Sequence, residues 1–366
     1  MSTMDSKSYA DIFGQASTLT QTAEVVAGLE PPSFAVTPGR TFVFTGCGSS
    51  YYVGQSAAHF MRALGGPAAS AVPSSEIWLL PDLWLREGVI LVAISRTGTT
   101  AEVLRALECA RERGVPTITI SLADDVPMHD LSDFVLSLTH VREAGRVMLQ
   151  SFTNMLLAAQ WLALGVARAA GSSRALAYAR GLPRVGEAVG ALLPLFDEQA
   201  RTFVQDGVGQ YVFLGSGPFS GLCAEAVLKM QEMSQAPAES YAGLEYRHGP
   251  IASLTERSLV ACMSCRHTIA FDALQAGDAL FLGGRPLIVG PDECLRQAPA
   301  GVKTLALPDA LPAWFYGNLA LPFFQLLAYH QTVAQGANPD SVRNLDRTID
   351  PHINPHVLPR MDMVPA

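Results

Sequence analysis

Short apolar runs, each closed by glycine or a hydroxyl residue and followed by a helical rhythm, fill most of this chain. TFVFTG (41–46) is one, and a helix pattern follows from about Tyr52 to Leu64. AASAVPSSEI (68–77) reads as a second strand and a turn. GVILVAIS (88–95) is apolar throughout, which marks a central parallel strand covered on both faces. RTGTT (96–100) is a turn, and AEVLRALECARERG (101–114) is an amphipathic helix closed by glycine. VPTITISL (115–122) and DFVLSL (133–138) are further strands, and a long helical region covers 150–170. Strands alternating with helices predict a parallel α/β sheet.

The layout then partly repeats. QYVFLGSGPFSGLCAEAVLKMQEM (210–233) has the arrangement of TFVFTGCGSSYYVGQSAAHFMRAL (41–64), at an offset of about 169 residues. Each has an aromatic-flanked strand, a glycine–serine turn and a long helix. SLVACMSC (258–265) and RPLIVG (285–290) supply later strands of the second unit. Two α/β units of one kind are expected, at 35–172 and 195–335. A helical segment (1–34) precedes them, and a tail (336–366) rich in Pro, Asn and Asp closes over the site.

Composition narrows the class. A chain of 366 residues suits two domains. Hydrophobic residues are 49% and charged residues only 16%, so helices cover both faces of the sheets and subunits pair through apolar faces. The net charge of −8, with no Lys/Arg run, excludes nucleic acid as the main partner. Segments 154–167 and 311–329 are long and apolar. The second is broken by Pro312, Gly317, Asn318, Pro322 and Gln325, so both read as buried helices, not membrane spans. No secretory segment opens the chain, and six scattered cysteines fit a reduced, cytoplasmic setting. Cys262 and Cys265 form a lone C-x-x-C in an apolar strand, which reads as two buried residues. No metal site is evident.

Two turns could hold an anion. GCGSS (46–50) follows a strand and opens a helix, and its Gly48, Ser49 and Ser50 stand where unpaired backbone N–H groups gather. A plain serine N-cap is the competing reading. SRTGTT (95–100) also joins a strand to a helix and offers Ser95, Thr97, Thr99, Thr100 and the cation Arg96. Both lie at carboxyl ends of parallel strands, where open α/β sheets bind ligands. Together they point to a phosphate site. Neither is a nucleotide P-loop or a dinucleotide fingerprint, and no cofactor is expected.

Glu225, Lys229 and Glu232 stand at i, i+4 and i+7, on one face of a predicted helix. Glu225 and Lys229 read either as an ion pair or as part of a site. Glu232, on the apolar stretch VLKMQEM, suits a general base moving a proton between adjacent carbons. His248 in EYRHGP (245–250) projects from a turn and suits sugar ring opening, or is a surface residue.

FTGCGSS, ISRTGTTAEV, LKMQEMSQAPAESYAGLEYRHGP and NPDSVRNLDRTI, in that order, resemble the SIS-domain family of phosphosugar isomerases. More closely they resemble the isomerase half of glucosamine-6-phosphate synthase, the AgaS-type deaminase/isomerases and the deglycases, over about 35–350. The resemblance implies two SIS domains, each a parallel sheet flanked by helices. It implies a sugar phosphate held by Ser49, Ser50, Ser95, Arg96, Thr97 and Thr100. Glu232 would be the base and His248 the ring-opening residue, supplied by the neighbouring subunit of a homodimer with a shared active site. Lys229, Glu225, Gly48 and Arg347 match motif positions with supporting or substrate-binding roles.

Three departures shape the expected activity. The chain has no room for a glutaminase domain, so the synthase reaction is not expected. Arg347 stands where the synthase has its imine-forming lysine. Met148 and Leu149 replace hydroxyl residues. The expected activity is deamination and isomerisation of an amino-sugar phosphate such as glucosamine 6-phosphate, giving fructose 6-phosphate and ammonia. A fructosamine-6-phosphate deglycase, a ketose isomerase and a non-catalytic phosphosugar sensor are the alternatives.

Overall fold

The computed structural model describes residues 6–344. Among these described residues, ten strands form two separate five-stranded sheets, and every pairing is parallel. The first sheet holds β1 (Thr41–Gly46), β2 (Ala69–Pro73), β3 (Val89–Ile94), β4 (Thr117–Ser121) and β5 (Phe134–Ser137). The second holds β6 (Gln210–Leu214), β7 (Ala238–Tyr241), β8 (Ser258–Met263), β9 (Arg285–Pro291) and β10 (Lys303–Leu307). The orders are β2-β1-β3-β4-β5 and, read from its other edge, β7-β6-β8-β9-β10. In each sheet the first strand lies between the second and third, so the chain reverses direction across the sheet beside that strand. The repeat expected from the 169-residue offset is present as one strand order used twice.

Central strands β3 and β8 are buried at every position. Their unbroken apolar runs suit strands covered by helices on both faces. The apolar segments noted in sequence are buried helices, Gln150–Ala169 and Tyr316–Ala334. Together with Lys7–Ala27 and Val185–Gln205 they pack between the sheets, and one continuous core joins Phe44 and Ile90 of the first sheet to Phe213 and Leu259 of the second. The expected start of the second unit, residue 195, lies within Val185–Gln205.

Several polar residues inside these apolar helices bond one another. Gln15 donates to Gln325 Oε1 at 2.8 Å and accepts from Thr153 Oγ1 at 2.9 Å, while Gln325 donates to the Leu149 carbonyl at 3.1 Å. A buried polar side chain is tolerated when hydrogen-bonded, and here the bonds fix the register of three helices. No helix among the described residues is long and apolar enough to cross a membrane.

Two local expectations differ from the fold. After β2 the chain enters a helix, Ser74–Leu79, where a turn was expected. Ser74 is buried and accepts a hydrogen bond from Thr45 Oγ1 at 3.1 Å, which ties this helix to the end of β1. The helix expected to carry Glu225, Lys229 and Glu232 ends as an α-helix at Lys229 and continues as a π-turn, Met230–Ser234. Gln235 follows at φ +51°, a left-handed conformation that stops the helix.

Candidate functional site

The first turn is built by close backbone approach. A Cβ on Gly46 would lie 2.7 Å from the Ser50 carbonyl carbon, so only glycine lets β1 turn this tightly. Gly48 takes φ +53° as N-cap of the Ser49–Ala63 helix. Ser49 and Ser50 are buried at its first positions, beside the positive end of the helix dipole. Burial pushes the neighbouring Cys47 thiol up to about 11, which keeps it protonated at neutral pH and a poor nucleophile.

The second turn follows β3, which pairs directly with β1. Ser95 accepts from the Gly98 N–H at 3.1 Å and lies 3.1 Å from Thr100 Oγ1. Thr97 Oγ1 accepts from the Thr99 hydroxyl at 3.0 Å. Gly98 sits at φ +67°, and a Cβ there would meet Val126 Cγ2 at 2.3 Å. Arg96 departs from the picture of a free phosphate-binding cation. Its Nη1 donates to Glu143 Oε2 at 3.0 Å and to the Arg146 carbonyl at 3.1 Å.

Against the first turn sits the charged cluster of the second unit. The Ser220–Lys229 helix packs on Ser49–Ala63 through Gly221, where a Cβ would lie 2.4 Å from the Tyr52 carbonyl oxygen. That contact brings Lys229 Nζ to 3.4 Å from Ser49 Oγ. Lys229 Nζ also lies 3.3 Å from Glu225 Oε1 and bonds closely to Glu232 Oε2. Glu225 and Lys229 are fully buried, whereas the Glu232 side chain keeps 17% of its exposure. Glu232 stands on the π-turn, three residues past Lys229, and such turns recur at functional sites.

One ammonium cannot balance two carboxylates, one of them fully buried. Burial opposes the charge on Lys229, but Glu225 and Glu232 outweigh it and raise its pKa, so it stays protonated. Burial pushes Glu225 up to about 8, with Lys229 opposing and Glu232 adding to the rise. Burial thus favours the protonated form of Glu225, while the Glu232 side chain stays partly open to solvent. The fully buried carboxyl of the cluster is Glu225, and Glu232 is only partly withdrawn from solvent.

His248 lies exposed at the end of a short 3₁₀ segment, Gly243–Arg247. Its imidazole makes no hydrogen bond or ion pair among the described residues. Among the described residues no hydrogen bond or ion pair joins it to Glu232. Arg347 lies outside the described residues. Among the described residues no cluster of His, Cys, Asp or Glu is arranged to hold a metal ion. Cys262 and Cys265 are buried, free thiols.

Glu143 escaped the sequence reading. It is 3% exposed and bonded to Arg96, yet it stands in an irregular loop with no motif around it. The only signal was a lone carboxylate just ahead of a long apolar helix, which resembles many solvated loop acids.

Residues 37–165 match the SIS domain family. A glutamine–fructose-6-phosphate aminotransferase (isomerizing) from Caulobacter vibrioides is 28% identical over 312 residues, covering 83% of this chain and 51% of that relative. The chain thus spans about half the length of that curated relative. A solved glucosamine-6-phosphate deaminase from Thermotoga maritima is 26% identical, with TM-score 0.76, covering 94% of this chain and 99% of that one. The C-terminal domain of a glucosamine-fructose-6-phosphate aminotransferase from Francisella tularensis has TM-score 0.83 at 21% identity, covering 92% and 98%, and shares the fold.

Proposed function

From the premise that residues 37–165 are a SIS domain, we propose that this chain deaminates and isomerises an amino-sugar phosphate of the glucosamine 6-phosphate type. The second sheet then forms a second SIS domain, and the active protein is a cytoplasmic homodimer. The observation that carries the reading is the contact between Lys229 and Ser49, which joins an acid–base cluster to a hydroxyl-lined anion turn. The similarity to the Thermotoga maritima deaminase along nearly the whole chain supports the same activity.

The chemistry follows from the groups present. The substrate phosphate sits at the helix N-terminus of Ser49 and Ser50 and on the hydroxyls of Ser95, Thr97 and Thr100. His248 of the partner subunit opens the ring. Glu232 takes the proton from carbon 2 and returns it to carbon 1, while a proton passes from nitrogen to the carbon 1 oxygen, giving the carbon 2 imine. Lys229 holds Glu232 in place before the transfer. Water adds to the imine, and ammonia leaves with fructose 6-phosphate as the other product.

The test is ammonia release from glucosamine 6-phosphate by the purified protein, with fructose 6-phosphate followed in parallel. Equal rates of the two products are expected. Tight phosphosugar binding without ammonia would overturn the deaminase reading and favour a deglycase, a ketose isomerase or a sensor.

A further inference from the structure

We propose that Glu143 is a positioning residue for phosphosugar binding, acting through Arg96. The inference rests on the reading above and adds a residue to it.

All of Glu143's acceptor capacity is in use. Its Oε1 accepts from the Leu149 N–H at 2.6 Å and the Ser151 N–H at 3.1 Å. Its Oε2 accepts from Arg96 Nη1 at 3.0 Å and Ser151 Oγ at 2.5 Å. A carboxylate has about four lone-pair sites, so this one is saturated and has no role as a base. Two of its partners belong to the start of the Gln150–Ala169 helix, whose N-cap, Leu149, has no side chain able to cap it. Glu143 therefore caps that helix from a distance.

The same carboxylate stands between two positive ends, a guanidinium and a helix N-terminus. Without it they would repel each other across a largely dry contact, since Arg96 is 15% and Glu143 3% exposed. The loop carrying Glu143 is itself held: Asp11 accepts from the Ala144 N–H at 3.1 Å, the Gly145 N–H at 2.6 Å and Gln150 Nε2 at 2.9 Å. The Ser95–Thr100 turn is thereby bolted to the segment Met148–Ser151. Arg96 is locked in one orientation, and the helix N-terminus beside it is already filled by Glu143 and closed to the ligand's phosphate. Substrate phosphate is directed instead to the turns after β1 and β3.

The experiment measures binding of glucosamine 6-phosphate and of inorganic phosphate by calorimetry, and turnover of the sugar, for four full-length proteins. These are wild type, Glu143→Gln, Arg96→Met and the double variant. Glu143→Gln is expected to weaken glucosamine 6-phosphate binding by about tenfold, the scale of coupling between residues in one ion-pair network. It should raise KM in step and leave kcat within about twofold, because the acid–base cluster is untouched. In the Arg96→Met background the same change should cost less than about twofold further. Unchanged affinity in Glu143→Gln would overturn the inference alone. So would an equal loss in both backgrounds, which would assign Glu143 to helix capping only. Should Glu143→Gln fail to fold, Glu143→Asp replaces it in the same two-background comparison. A wild type that binds neither probe would overturn both this inference and the functional reading.

Discussion

Lys229 Nζ lies 3.4 Å from Ser49 Oγ, so a cation carried by the second sheet touches the anion turn of the first. The two residues come together because Gly221 lets their helices approach at backbone distance. The ammonium stands between two carboxylates and a hydroxyl, with no exposed surface. Its removal would leave the buried Glu225 and its neighbour Glu232 without their shared cation.

Lys229→Met is accordingly expected to destabilise the fold by roughly 3–5 kcal/mol, the cost of breaking a buried pair from one side. Urea unfolding monitored by circular dichroism measures it. A loss within about 0.5 kcal/mol, typical of surface sites, would show that the cluster is solvated.

Glu232→Gln is expected to lower kcat at least about a hundredfold, the scale of a missing general base. Binding of glucosamine 6-phosphate should persist, since the phosphate turns are separate from the base. A variant that neither turns over nor binds would make Glu232 a structural residue.

The buried Glu225 sets a pH dependence. Its pKa is raised from an ordinary 4.5 to about 8, so between these values the folded state binds a proton that the unfolded chain has released. Stability from this group is full below about pH 4.5 and is lost as pH rises through about 8. Glu225→Gln should flatten that decline in a comparison of unfolding midpoints from pH 5 to 9. A wild-type protein that gains stability over this range, with the variant following in parallel, would contradict the assignment.

Gly221→Ala tests the helix contact itself. The added methyl would meet the Tyr52 carbonyl oxygen at 2.4 Å and Ser56 Oγ at 2.5 Å, so the helices must part. Overpacking of this kind costs about 1–3 kcal/mol. The expected signature is a loss of kcat larger than that of Gly190→Ala, whose methyl meets only a side-chain carbon, Ala16 Cβ at 3.1 Å. Equal activity in the two variants would separate the site from this packing.

The parts legible in the sequence were those written in local chemistry. GCGSS and SRTGTT announced themselves because tight turns need glycine and helix starts favour hydroxyls, and both follow apolar runs long enough to be central strands. The Gln325-bearing helix was readable as buried because its polar residues are too few for a surface and too many for a membrane. By contrast, β7 spells Ala238–Tyr241, four residues with no apolar run, and is a strand only because β6 offers it an edge. The π-turn at Met230–Ser234 left no mark either. An α-helical reading of Glu225, Lys229 and Glu232 predicts one face, with Lys229 in reach of Glu232 at i−3, but not the change to a π-turn there. Which carboxyl is the drier one was set by packing against Ser49–Ala63, a contact across nearly half the chain.

The shared strand order of the two sheets sets a division of labour between them. At equivalent strand ends the first holds the hydroxyl-rich pair of turns, while the second has GSGPF after β6 and contributes carboxylates and an ammonium from the helix that follows. Neither half alone carries the whole candidate site, so a half expressed by itself would present only one side of a two-handed grip.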